Sequence, residues 1–104
     1  MITSSAAVPT ENGSRYLQQL CKHWSHNLAV EFDAQKGRVT FPKDARGQNH
    51  PGDGHLAMTA GPEHLLVRID ASSPDQPASL KSVAASHLDR FAFREAPLRF
   101  EWSD

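Results

Sequence analysis

The spacing of apolar residues changes near residue 28, and that change constrains the fold more than any other feature. Tyr16, Leu17, Leu20, Cys21 and Trp24 recur every three or four positions, with Gln18, Gln19, Lys22 and Ser25 opposite them. This is the stripe of an amphipathic helix of about four turns. Thr10 or Asn12 offers a side-chain oxygen to cap its first turn, and the pattern ends near His26 or Asn27. From Leu28 the period is two. Leu28, Val30 and Phe32 alternate with Ala29, Glu31 and Asp33, as in a half-buried strand. A turn over Ala34 to Gly37 and a return strand with Val39 and Phe41 inward complete a β-hairpin.

The same two periods organise the rest. Ile2 to Val8 alternates weakly and is closed by Pro9, so it reads as an edge strand, although Ser4 shares its apolar side. Pro42 to Gly54 is polar, with too little apolar surface to offset its ordering entropy, and reads as a mobile loop. Strands about His55 to Ala60 and His64 to Ala71 follow, joined at Gly61-Pro62-Glu63, with Leu56, Met58, Leu65, Val67 and Ile69 inward. A second helix opens near Ser73-Pro74-Asp75 with Pro77 in its first turn, where the missing N–H costs nothing. Its stripe is Leu80, Val83, Ala84, Leu88 and Phe91, and Pro97 requires it to end earlier. Leu98, Phe100 and Trp102 then alternate in a final strand or extended arm. These elements predict an α+β two-layer sandwich, with two helices on one face of an antiparallel sheet of four to five strands. Leu17, Leu20, Trp24, Val30, Phe32, Val39, Phe41 and Phe91 are among the residues expected in its core.

Composition narrows the functional classes. A chain of 104 residues suits one domain, 1–104, with one core. A net charge of −1 offers no basic footprint for nucleic acid. No apolar run approaches the roughly 20 residues of a spanning helix, and the first ten residues lack the pattern of a secretory leader. With a single cysteine, Cys21, there is no intrachain disulfide, which fits a reducing, cytoplasmic setting. Cys21 itself lies on the apolar stripe and reads as an inert small hydrophobe.

At the helices the sequence resembles a known family. Ser14-Arg15-Tyr16-Leu17-Gln18-Gln19-Leu20-Cys21-Lys22-His23-Trp24 and His87-Leu88-Asp89-Arg90-Phe91-Ala92-Phe93-Arg94-Glu95-Ala96-Pro97 are similar to the two signature stretches of the bacterial domain of unknown function 2218 (DUF2218). The resemblance implies a small two-layer α/β sandwich. On function it implies only an association with siderophore-interacting reductases, and through them with iron uptake.

Six histidines invite a metal hypothesis. His23 and His26, three apart, project to the same side of a helix and could share an ion, with His87 or Cys21 as a third ligand. The simpler reading makes them solvated residues near a helix C-terminus, where positive charge is favourable. His50, Asp53 and His55 form a second cluster in the polar loop, more suited to adventitious than to physiological metal. His87 falls within the second apolar stripe, either as a satisfied core histidine or at the mouth of a pocket. Arg90, Arg94 and Glu95 gather where that helix ends. They either compensate the helix dipole or form a carboxylate clamp. With His23 and His87 they make a candidate recess for an anionic group.

No Gly-rich phosphate loop, nucleophile elbow or paired-cysteine motif is present, so neither a cofactor nor catalysis is indicated. The expected function is a non-catalytic accessory domain that binds a small anionic ligand or a protein partner, the latter being the siderophore-related reductase of the family association. A metal-binding domain using the helix histidines and a purely structural or oligomerising domain are the alternatives.

Overall fold

Where the apolar period is 3.6 the chain is helical, and where it is two the chain is extended. A computed structural model describes residues 2–26, 28–41, 52–72, 76–92, 94–95 and 98–103. The elements run β1 (Ile2–Pro9), α1 (Gly13–Trp24), β2 (Ala29–Phe32), β3 (Lys36–Phe41), β4 (Gly54–Ala60), β5 (His64–Ala71) and α2 (Gln76–Phe91). The five strands form one antiparallel sheet in the order β1-β5-β4-β3-β2. Strands β2 to β5 are a meander that ends beside β1, so α1 must cross the sheet to connect its two edges. Helix α1 lies over β2, β3 and β4, while α2 lies over β5 and β1 and packs on α1. Both helices cover one face, giving the expected α+β sandwich. The expected loop falls, from residue 42 to 51, outside the described residues, and Gly54 already belongs to β4.

The core is the set of inward positions. All five residues of the α1 stripe are buried, as are Val39, Leu56, Met58, Leu65, Val67 and Ile69 from the strands and Leu80, Val83, Ala84 and Leu88 from α2. Three of the expected core residues do not reach it fully. Phe32 is 40% exposed, and Val30 and Phe91 are only half-buried. Strand β2 is an outer strand of four residues with a neighbour on one side alone, so its inward side chains meet the core only along one flank. Ser4 is buried on the inward side of β1 beside Ala6 and Val8.

The hairpin turn is tighter than the sequence suggested. Asp33 Oδ1 accepts the backbone N–H groups of Gln35 and Lys36 at 2.7 and 2.8 Å, and these bonds hold its carboxyl below the usual carboxylate range. Gly37 therefore lies in β3, paired with Phe32, rather than in the turn. Its lack of a side chain is what lets α1 approach: a Cβ there lies 2.6 Å from Cys21 Sγ and 3.4 Å from Leu17 Cδ1. Gly37→Ala should destabilise by about 1–3 kcal/mol through overpacking. Adding Cys21→Ala, which removes the clashing sulfur, should recover much of that loss in urea unfolding. No recovery would show that α1 does not rest on Gly37.

The C-terminal segment covers the free edge of β1. Ser5 and Ser103 exchange two backbone hydrogen bonds of 3.0 and 2.7 Å, which blunts an edge otherwise open to pairing with another chain. Leu98 is buried, its N–H donating to Asp89 at 2.9 Å. Phe100 stacks on Trp102 with ring centres 5.8 Å apart, and Lys81 Nζ lies 5.5 Å from the Trp102 ring.

Candidate functional site

The helices run antiparallel, so the last turn of α1 faces α2 near His87 while the first turn of α1 faces the segment just past α2. The two stretches that carry the resemblance therefore meet at both ends. At one end they bring aromatic and imidazole rings together, and at the other they share a carboxylate.

His87 is half-buried, and its Nδ1 lies 2.8 Å from the Val83 carbonyl oxygen one turn earlier. A carbonyl can only accept, so Nδ1 carries the proton, and in the neutral ring Nε2 is the nitrogen with the lone pair. The ring sits 5.1 Å from Trp24, which is buried and meets Phe41 edge-on at 5.2 Å. Exposed His23 completes the group, its ring centre 5.7 Å from that of His87 and 6.0 Å from Phe91. Two imidazoles from two helices thus stand side by side at the solvent edge of an aromatic wall. Trp24 packs against His87 and the Val83 carbonyl holds its Nδ1–H, whereas the rings that border His23 among the described residues are those of Phe91 and His87.

Glu95 lies at the other end and is fully engaged. Its carboxylate accepts from Thr10 Oγ1 at 2.9 Å, from Asn12 Nδ2 at 3.1 Å and from the Tyr16 hydroxyl. The Tyr16 bond, then that of Asn12, holds the Glu95 carboxyl below its ordinary range. Burial, reinforced by the bond to Glu95, pushes the Tyr16 phenol up. Thr10 also accepts the Asn12 N–H at 3.1 Å. Asn12 occupies the N-cap of α1 without a side-chain cap bond, because its amide is turned to Glu95. The sequence reading missed this group of four. Thr10 and Asn12 look like caps, Tyr16 looks like core, and no local pattern ties them to a glutamate near the other end of the chain.

The remaining candidates are distributed more widely. Helix α1 ends at Trp24, so His26 stands in the following turn, exposed, rather than on a helical face with His23. Arg90, in the last turn of α2, is exposed and shares the flank of His87 three residues before it. Arg94 is exposed beside Glu95 in the turn beyond the helix and has an interaction of its own. His50 lies outside the described residues. His55 points to the uncovered face of the sheet, its Nδ1 3.2 Å from Thr40 Oγ1. Cys21 is buried and its thiol is pushed up to about 11 by burial, so it stays protonated and inert as expected. Among the described residues no three His, Cys, Asp or Glu side chains are grouped for a metal ion.

A surface depression of about 440 Å³ lies elsewhere, over the β2–β3 hairpin between Phe32, Arg38 and Ala57. It is broad and shallow, and its charges, Glu31, Asp33, Lys36 and Arg38, are of both signs. Nothing in it selects one ligand chemistry, whereas the imidazole pair brings ring nitrogens from two helices to one place.

A family model described as "Uncharacterized protein conserved in bacteria (DUF2218)" matches residues 5–103. The NMR structure of PA4090 from Pseudomonas aeruginosa is similar over 99% of this chain and 96% of that one, at 31% identity and a TM-score of 0.75. No curated protein matches.

Proposed function

Because this chain belongs to the DUF2218 family, whose description carries no activity, we propose from the geometry that it is a non-catalytic binding domain with its site at the His23–His87 edge of the helix layer. The observation that carries this reading is the pairing of the two imidazoles across α1 and α2, 5.7 Å apart, with the His87 tautomer set by Val83. A packing role alone accounts for Trp24 and Leu88, which are buried. It does not account for an exposed His23 beside a half-buried His87. The only cysteine is buried and protonated, which supports binding over nucleophilic chemistry.

The ligand is a small carboxylate-bearing molecule. Arg90 supplies the guanidinium fork that suits a carboxylate, and the imidazoles supply further hydrogen-bonding atoms. Glu95, engaged by Thr10, Asn12 and Tyr16, is left to a structural role. In this reading the domain serves in the cytoplasm as an accessory to a siderophore-related reductase, its ligand being the anionic group that such a partner handles. Citrate is a suitable probe, followed by amide and histidine-ring chemical shifts. Shifts should centre on His23, His87 and Arg90, and Arg90→Ala should weaken binding at least about five-fold, as loss of one charge-assisted hydrogen bond implies. Shifts centred on Arg38 and Arg68, on the uncovered sheet face, would move the site there and end this reading.

A further inference from the structure

The geometry points to a divalent transition-metal ion as a ligand of the His23–His87 pair, held by two protein nitrogens with its other positions open. This rests on the reading of that pair as the binding site and names the chemistry of what it takes. Metal–nitrogen bonds of about 2.0–2.1 Å place the centres of two imidazoles on one ion roughly 5–6 Å apart. The observed separation is 5.7 Å. His87 also has the partner that metal-binding histidines need, since its Nδ1–H is tied to the Val83 carbonyl and Nε2 is left as the donor. His23 is exposed on the last turn of α1, its ring tilted 40° from that of His87.

The pair differs from the one suggested by sequence spacing. His26 lies beyond the end of α1, so the second nitrogen comes from α2 instead. With no third protein ligand among the described residues, the ion keeps sites for water or for donor atoms of an incoming carboxylate, with Arg90 on the same flank. Such a site binds loosely and exchanges its ion, unlike a closed structural site. Imidazole donors favour copper, nickel and zinc over magnesium.

The test uses the full chain without a histidine tag, titrated calorimetrically with Cu²⁺, Ni²⁺, Zn²⁺ and Mg²⁺. One equivalent should bind in the micromolar range, Cu²⁺ tightest, with no heat from Mg²⁺. His23→Ala and His87→Phe should each weaken binding at least about ten-fold, and His26→Ala should not. His87→Phe keeps a ring against Trp24, and His23 is exposed, so loss of binding in His23→Ala cannot come from unfolding. Ni²⁺ should broaden the ring resonances of His23 and His87 first. Unchanged affinity in His23→Ala, or broadening centred on His26 or on His50 and His55, overturns the inference. If no metal binds while citrate still shifts His23 and His87, the ion is wrong and the site stands; if neither binds there, both are wrong.

Discussion

Trp24→Ala should lower the free energy of unfolding by about 3–5 kcal/mol, the cost of emptying a large aromatic site in a core that cannot collapse around it. For a domain of about 100 residues this corresponds to a fall on the order of 20 °C in melting temperature. Total stabilities of about 5–15 kcal/mol leave little margin after such a loss. The magnitude follows from the position: Trp24 is 6% exposed, meets Phe41 edge-on and backs His87. Trp24→Phe should keep much of the stability, because the ring contacts survive in part. Urea unfolding followed by circular dichroism measures both, and a loss under about 1 kcal/mol in Trp24→Ala would place the side chain at the surface. The same substitution should impair binding at His23 and His87 even under conditions where the variant is folded, since it removes the wall that orients His87.

The second large effect concerns the carboxylate that ties the start of α1 to the segment after α2. Glu95→Ala should cost about 1–3 kcal/mol, because it leaves the hydroxyls of Tyr16 and Thr10, each 5% exposed by residue, without their acceptor. Tyr16→Phe should cost less, since Glu95 is exposed and water replaces the lost donor. A double-mutant cycle between them isolates the coupling, which vanishes if the two side chains do not touch in solution. The pH dependence has a defined sign at both ends. The Glu95 carboxyl is depressed on folding, chiefly by the Tyr16 bond. Its contribution is therefore present above the ordinary glutamate value of about 4.3 and lost as pH falls through the lower folded value. The Tyr16 phenol is raised, chiefly by burial. Its contribution is present below the ordinary tyrosine value of about 10 and lost as pH rises through the higher folded value. Glu95→Gln should flatten the acid limb of the stability profile; an unchanged acid limb would assign that limb to other carboxylates.

What the sequence determined by itself was which segments are helical, which are extended and which side of each is apolar. The α1 stripe from Tyr16 to Trp24 is buried at every position. Every second residue from Leu65 to Ala71 is buried, and the β4–β5 turn falls at Gly61-Pro62-Glu63, where the Gly61 N–H meets the His64 carbonyl at 2.8 Å. Such patterns are legible because a helix or strand with one apolar side has only one way to hide it, so the two-layer sandwich follows from the stripes. Tertiary structure alone decided which residues meet across the layers. Gly37 reads as a turn glycine until α1 is seen to lie on it, with Cys21 above. Phe32 alternates correctly, yet its place on an outer strand leaves it 40% exposed. His23 has His26 three residues away in the chain, but its neighbour in space is His87, because α1 stops at Trp24 and α2 packs antiparallel beside it. Glu95 finds Tyr16 across a separation of 79 residues. Contacts of this kind are set by how two helices are placed on a sheet, and no periodicity within either helix encodes that placement.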